Sequence, residues 1–176
     1  YHTRLVDKIV IELVKNILLI HPLSDFTLIA VGGYGRKDLS PKSDVDLLFI
    51  YKKSNKNIRA FITTLNNSLW DIGLEVGISF LTIKQAIIDS KKDIKTVTKF
   101  AESRHLIGDH KQYGEFVRSI KILIGKLNAL KLSEKKLLEL VDRHEYHLGI
   151  KSNLEPQIKE GIGGLRDIHT ILWISI

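Results

Sequence analysis

A glycine-rich segment, Val31-Gly32-Gly33-Tyr34-Gly35-Arg36, precedes a pair of aspartates in Ser43-Asp44-Val45-Asp46. Apolar, partly β-branched runs at 26–31 and 45–51 flank the two motifs, and both runs predict buried strands. Glycine lets the backbone approach a ligand closely and present its N–H groups. Side chains two positions apart on a strand share one face. The sequence therefore predicts two carboxylates that point together toward a glycine turn.

Asp44 and Asp46 are the main candidates for metal binding. Mg²⁺ prefers oxygen ligands and commonly binds one or two carboxylates together with substrate phosphates. We expect Gly32 and Gly33 to hold phosphates through their backbone N–H groups, assisted by the short helix that follows them. The alternative interpretation is structural, with the aspartates as a turn residue and a strand-edge charge and the glycine pair as a plain tight turn.

Together these motifs resemble the nucleotidyltransferase superfamily. More closely, they resemble the N-terminal transferase domain of the bifunctional PII-protein uridylyltransferases, over the chain from about residue 25 onward. Three later stretches carry the same resemblance: Leu69-Trp70-Asp71-Ile72-Gly73-Leu74-Glu75-Val76-Gly77, Arg104-His105-Leu106-Ile107-Gly108-Asp109 and Leu154-Glu155-Pro156-Gln157-Ile158-Lys159-Glu160-Gly161-Ile162-Gly163-Gly164-Leu165-Arg166-Asp167-Ile168.

The resemblance implies an α/β (α+β) fold, with a small mixed sheet and flanking helices whose Asp-x-Asp strand lines an open cleft. It also implies a Mg²⁺-dependent reaction that moves UMP from UTP to a tyrosine hydroxyl of the PII nitrogen-regulatory protein. In this family an HD-type hydrolase domain and two ACT sensor domains follow the transferase domain. This chain lacks an initiator Met and ends inside an apolar run, so we expect it to be a piece of a longer protein. We also expect a cytoplasmic location.

The superfamily resemblance also implies a third carboxylate on the next strand. Glycine stands at position 77, where the sister family that adenylylates glutamine synthetase has an aspartate. Glu75 is the nearest substitute and the third candidate catalytic residue. It fits a solvent-facing strand glutamate equally well, so the general base stays open. Metal-assisted deprotonation of the incoming hydroxyl is the alternative.

Four further residues are candidates for nucleotide binding. Arg36 follows the glycine turn and either contacts phosphate or packs, and Ser43 supplies a local hydroxyl. Lys159 and Arg166 flank a second glycine loop, an arrangement that suits an anion. We expect both to face the same cleft as the aspartates. The alternative is a packing loop in which Arg166 pairs with a neighbouring carboxylate, that of Asp167 or Glu160.

Hydrophobic periodicity predicts the remaining elements. A first amphipathic helix ends at His21-Pro22, because the residue before proline disfavours helical backbone. Trp70 and Trp173 lie in apolar runs and are predicted to be core residues. The other predicted helices span 34–39, 58–70, 83–89, 93–106, 112–127 and 134–148, with one more beginning near 165, and the strands span 26–31, 45–51 and 74–81.

These elements predict a three-stranded catalytic core followed by a helical region. We place the core and its leading helix at residues 1–90, and the helical region, truncated at its C-terminal end, at 91–176. No apolar run reaches the roughly 18–20 residues of a membrane span. The absence of cysteine excludes a disulfide scaffold and fits a reducing compartment.

Composition and motifs leave rival functions open. Lysine and arginine number 27 against 20 acidic residues, but they are spread along the chain without aromatic interleaving, which disfavours an RNA-binding domain. An ATP-dependent adenylyltransferase would carry the same motifs, because no residue in them distinguishes the uracil base of UTP from the adenine base of ATP. A non-catalytic nucleotide-binding regulatory module is favoured by the missing third aspartate and opposed by the intact Asp44 and Asp46.

Overall fold

The computed structural model of this chain describes residues 1–41, 43–127, 129–149 and 157–174. Their helices are α1 (His2–Ile20), α2 (Gly32–Gly35), α3 (Lys56–Asp71), α4 (Ile83–Lys92), α5 (Ile94–Ala101), α6 (His110–Lys126), α7 (Ala129–Gly149) and α8 (Leu165–Ile174). Their strands are β1 (Phe26–Ala30), β2 (Val45–Tyr51), β3 (Val76–Leu81) and β4 (Arg104–Gly108). The chain divides into two compact units, Tyr1–Ile122 and Leu123–Ile176, and the sheet belongs to the first.

The four strands form one mixed sheet in the order β3-β2-β1-β4. β1 is antiparallel to both β2 and β4, whereas β2 and β3 run parallel. Every residue of β1 is buried, as expected for a central strand covered on both faces. The prediction of a small mixed α/β sheet is confirmed.

The fourth strand corrects the prediction of a helix at 93–106 and of a three-stranded core. The carboxylate of Asp93 caps the first turn of α5, and the helix stops before the chain enters β4, which pairs with β1. An apolar run as short as Leu106-Ile107 fits helix and strand patterns equally well, and here pairing with the open edge of β1 determines the outcome. β4 belongs to the first compact unit, which ends at Ile122. The domain division at residue 90 stays a prediction.

α1 and α3 pack together against β1 and β2 in a single hydrophobic core. Each fully buried aliphatic or aromatic side chain contributes about 1.5–3 kcal/mol to stability. The rings of Phe26 and Phe49 stack at 5.2 Å between β1 and β2. The helix residues in this core are Val6, Val10, Val14 and Ile17 from α1 and Phe61, Leu65 and Leu69 from α3.

In the second unit, α7 and α8 pack around Trp173, which is only 5% exposed. The ammonium of the buried Lys136 lies 4.3 Å from the centre of the indole ring and also pairs with Glu139 at 3.0 Å. The predicted core position of Trp173 is therefore confirmed. Trp70, by contrast, is 75% exposed, and its prediction as a core residue is wrong. None of the helices in the described parts of the chain is long and apolar enough to cross a membrane.

The glycine turn contacts the segment between α5 and β4 through bare backbone. A Cβ atom on Gly35 would lie 1.8 Å from the carbonyl oxygen of Glu102 and 2.9 Å from that of Ala30. Such separations are far inside van der Waals contact, so only glycine fits between the two segments. This packing fixes the position of the turn relative to α5.

We expect Gly35→Ala to destabilise the protein by about 3 kcal/mol, because the backbone must shift to admit the methyl group. Gly114→Ala in α6 is the matched control. Its added methyl meets nothing within 4 Å, and replacing a helical glycine with alanine stabilises by about 0.5–1 kcal/mol. Urea unfolding followed by circular dichroism compares the two variants. A Gly35→Ala midpoint at or above that of the unmodified chain would contradict the packing described above.

Candidate active site

The glycine turn is joined directly to the strand that carries the aspartates. The backbone N–H of Val31 donates to the carbonyl of Asp46 at 3.1 Å. Gly32 has a φ of +59°, in the left-handed region that favours glycine, and a Cβ there would lie 3.5 Å from Oδ2 of Asp46. The helix after Val31 is a single turn, Gly32–Gly35, and not the predicted 34–39. Gly32 and Gly33 therefore occupy its first positions, where backbone N–H groups lack intrahelical acceptors.

Asp46 stands on β2 between the glycine turn and β3. In the parallel register of β2 and β3 it lies opposite Gly77, and a Cβ on Gly77 would come within 3.1 Å of Oδ1 of Asp46. Oδ1 also accepts a hydrogen bond from Nζ of Lys99 at 2.7 Å. Lys99 belongs to none of the sequence motifs named above. One signal was available, because Lys99 sits between the apolar Val97 and Phe100 of a short helix, where a lysine is held near the core.

Asp44 and Glu75 line the same pocket as Asp46 and Gly77. The pocket has a volume of about 530 Å³, and its remaining wall consists of Trp70, Gly73, Leu74 and Val76. The N–H of Val45 donates to the carbonyl of Glu75 at 2.8 Å, which fixes the two segments side by side. Three predicted catalytic carboxylates thus share one pocket.

Two of these carboxylates lie just before the strands on which they were predicted. β2 begins at Val45 and β3 begins at Val76, so Asp44 and Glu75 both precede their strands and are exposed to solvent. Within the described residues no group of three or more His, Asp or Glu side chains is close enough to hold a metal ion together. A third carboxylate beside Asp46 would have to come from position 77, where this chain has a glycine and therefore no side chain.

Arg36 and Ser43 lie near the glycine turn with different surroundings. The guanidinium of Arg36 pairs with Glu102 and, at 2.9 Å, with Asp38, while one of its nitrogens lies 3.7 Å from the Cβ position of Gly33. Ser43 is half-buried in the loop before β2, where its N–H donates to the carbonyl of Ser40 at 3.0 Å. Nucleotide binding by Arg36 and Ser43 stays a prediction.

Arg104, at the start of β4, forms hydrogen bonds with the backbone of the glycine turn. Its guanidinium donates to the carbonyls of Tyr34 at 3.2 Å and Gly35 at 3.3 Å, and it pairs with both oxygens of Asp7 on α1 at 3.0 Å. Burial and the nearby Asp7 carboxylate raise the pKa of Tyr34, whose side chain is 1% exposed. Tyr34 is therefore a neutral packing residue, and Arg104 positions the turn, a role that the sequence analysis did not assign.

Lys159 and Arg166 belong to the second unit, and residues 150–156 before them lie outside the described residues. Arg166 pairs with Glu160 at 2.9 Å and lies 5.6 Å from the ring centre of Trp173, while Lys159 is exposed. The ion pair between Arg166 and Glu160 is the one named above as the structural alternative. The cleft that these basic residues are expected to share with the aspartates would involve both units and stays a prediction.

The second glycine loop is held by Asp167 in the first turn of α8. Its carboxylate accepts the N–H of Gly163 at 2.8 Å, contacts Nε2 of His144 at 2.9 Å and pairs with Arg143. Burial acts to raise the pKa of Asp167, but these three partners outweigh it, so the pKa lies below its ordinary value. His144 is therefore a structural partner of this carboxylate.

Comparison with known proteins is consistent with this arrangement of motifs. Residues 131–176 match the family model described as GlnD PII-uridylyltransferase. The bifunctional uridylyltransferase/uridylyl-removing enzyme of Chromobacterium violaceum is 40% identical over 153 residues, which cover 84% of this chain. The chain belongs to the GlnD uridylyltransferase family. The same enzyme of Pseudoalteromonas translucida is 39% identical over 172 residues, or 97% of this chain.

The chain spans 17% and 19% of the lengths of these two relatives. Among solved structures, one described as a toxin-antitoxin with AMP-PNP is similar at a TM-score of 0.42 and 13% identity, over 75% of this chain and 96% of that chain.

The position of Gly77 provides a test of the metal site that does not depend on activity. We expect Gly77→Asp to place a second carboxylate against Asp46 and to lower the melting temperature in EDTA, because like charges at contact distance repel. A cost of about 1 kcal/mol corresponds to a shift of roughly 3 °C in a chain of this size. Added Mg²⁺ should reverse the shift.

Gly77→Asn is the matched control for this variant, since it adds nearly the same volume without the charge. Mg²⁺ should raise the melting temperature of Gly77→Asp by several degrees more than that of Gly77→Asn. An equal response of the two variants to Mg²⁺ would mean that the space beside Asp46 is not a metal position.

Proposed function

We propose that this chain is the transferase part of a uridylyltransferase, and that it moves UMP from UTP to a tyrosine hydroxyl of a PII signal protein with Mg²⁺ as cofactor. The observation that carries the proposal is the position of Asp46. Its two carboxylate oxygens face the glycine turn on one side and the bare backbone of Gly77 on the other, and Asp44 lines the same pocket. A phosphate chain and a metal ion need this combination of backbone amides and carboxylates.

The residues present fit a divalent cation. Oδ1 of Asp46 already contacts a positive charge, the ammonium of Lys99 at 2.7 Å, and the missing side chain of Gly77 leaves space beside the same oxygen. Asp44 and Asp46 would hold the metal, which when bound supplies positive charge to the phosphates of the nucleotide. Because Gly77 adds no third carboxylate, water and phosphate oxygens would complete the coordination, as is common for Mg²⁺.

The side chains and backbone of the chain then position the reactants. The amides of Gly32 and Gly33 would bind the phosphates, and the tyrosine oxygen would approach the α-phosphorus from the open side of the pocket. A phosphorus–oxygen bond to tyrosine forms as the bond between the α- and β-phosphates breaks, and pyrophosphate leaves with the electron pair. Glu75, on the pocket wall, is the proposed acceptor of the tyrosine proton.

The choice of UTP and of a PII protein rests on family membership. The curated relatives are named uridylyltransferases, and the matching family model names PII. An adenylyltransferase would show the same carboxylates and glycine turn, so labelled UTP and ATP must be offered separately. Transfer of label from UTP to a PII protein supports the proposal, and transfer from ATP alone favours the rival adenylyltransferase.

We expect Asp44→Asn and Asp46→Asn each to lower the rate of transfer about a hundredfold or more. Each replaces a charged metal ligand with a neutral one, and every ~1.4 kcal/mol of lost transition-state stabilisation costs a factor of ten. Asp71→Asn is the control, because Asp71 is an exposed aspartate at the end of α3. The measurement is incorporation of labelled UMP into a PII protein.

Near-normal transfer by folded Asp46→Asn would refute the metal assignment. No transfer from UTP or ATP by the unmodified chain, together with nucleotide binding that survives Asp46→Asn, would instead support the non-catalytic regulatory module. Circular dichroism of each variant confirms that the fold is retained before activity is compared.

A further inference from the structure

The ion pair between Lys99 and Asp46 occupies the centre of the candidate active site. Nζ of Lys99 lies 2.7 Å from Oδ1 of Asp46, and the two side chains are 36% and 33% exposed. Lys99 therefore contacts the same oxygen of Asp46 beside which Gly77 leaves space for a metal ion. A bound divalent cation and an ammonium group cannot share one carboxylate oxygen at contact distance without strong repulsion.

The helix that carries Lys99 is firmly placed. Asp93 caps α5 by accepting two backbone N–H groups, and Val97 and Phe100 are buried on either side of Lys99 in the sequence. The backbone of α5 also leads into the tight contact between Glu102 and Gly35. The backbone of α5 thus places Lys99 at the site, and the side chain of Lys99 remains 36% exposed to solvent.

The stem of Lys99 passes beside Gly32 of the glycine turn. Its Cγ atom lies 3.8 Å from the position that a Cβ on Gly32 would occupy, and Oδ2 of Asp46 lies 3.5 Å from the same point. We expect a change of side-chain rotamer to carry the ammonium away from Asp46 while the stem stays beside Gly32. The surface it would meet there is the proposed phosphate-binding backbone of Gly32.

We propose that Lys99 is an exchangeable counter-ion. It neutralises Asp46 in the empty protein, leaves Asp46 when a divalent cation binds there, and then contacts the phosphates of the nucleotide. This inference rests on the proposed function of the site and adds a residue and a sequence of charge contacts to it. No bond is made or broken by Lys99, which is a positioning residue for the metal and a binding residue for the nucleotide.

Two consequences distinguish an exchanging lysine from a static ion pair. A metal ion alone must displace the ammonium into water, so its binding without nucleotide is weakened. When a metal ion binds together with a nucleotide, the ammonium of Lys99 moves from Asp46 to the phosphates, so the nucleotide strengthens metal binding. By thermodynamic reciprocity, the metal strengthens nucleotide binding by the same factor. The chain would thus admit its metal together with the nucleotide in preference to the metal alone.

The test measures Mn²⁺ binding to the whole chain by electron paramagnetic resonance of the free ion, with and without UTP. Lys99→Met removes the ammonium and keeps a flexible apolar stem. Lys95→Met is the matched control, because Lys95 is an exposed lysine one turn earlier on α5, so both variants lose one positive charge from the same helix. Asp46→Asn identifies the binding that depends on the candidate site.

Without UTP, we expect Lys99→Met to bind Mn²⁺ about fivefold more tightly than Lys95→Met, which corresponds to removal of an ion pair worth about 1 kcal/mol. With metal present, its UTP binding should be about tenfold weaker, since a charge-assisted contact to phosphate is lost. The increase in Mn²⁺ affinity that UTP produces should therefore be smaller in Lys99→Met than in Lys95→Met.

Equal Mn²⁺ affinities of the two lysine variants in the absence of UTP would overturn the exchange. Weaker Mn²⁺ binding by Lys99→Met would also overturn it and would make Lys99 a support for Asp46. If Mn²⁺ binding is present but unaffected by Asp46→Asn, or is absent with UTP as well, the metal site of the proposed function fails, and the exchange fails with it. Urea midpoints of the variants exclude a loss of fold as the cause of any difference.

Discussion

The close passage of two backbones at Gly35 is the constraint on which the first unit of this protein depends. No side chain fits between the glycine turn and the carbonyl of Glu102, so the turn and the end of α5 are held at backbone contact. Arg104 reinforces the contact by bonding to the turn and to Asp7 on α1. These contacts bring α1 and the end of α5 to the glycine turn, next to the strand that carries Asp46.

The electrostatics of the site follow from this architecture. Asp44, Asp46 and Glu75 line one pocket, and two of the three are exposed to water. Such a concentration of negative charge is costly unless cations accompany it. Lys99 on α5 supplies one positive charge to Asp46, whereas Arg36 is paired with Glu102 and Asp38. Lys99 therefore neutralises a carboxylate of the pocket, and Arg36 is held by carboxylates that do not line it.

The glycine turn and the two strands that flank it could be predicted because each depends on local residues. Glycine conformations and buried apolar runs are determined by stretches of fewer than ten residues. β4 was missed, because its residues become a strand only by pairing with the edge of β1. Lys99 was missed for the same reason, since its contact with Asp46 joins residues 53 positions apart. Trp70 lies in a run that looks apolar, but the helix turns it outward at its last turn.

The placement of the two tryptophans has a practical consequence for spectroscopy. Each compact unit holds one indole, Trp70 in water beside the pocket and Trp173 in the packing of α7 and α8. An indole in water emits at longer wavelengths than one shielded from water, so the fluorescence spectrum of the chain contains a separate signal from each unit. Quenching by iodide, which reaches only the exposed ring, would isolate the signal beside the aspartates. The protein thus carries its own optical probes for following the pocket and the helical unit in one sample.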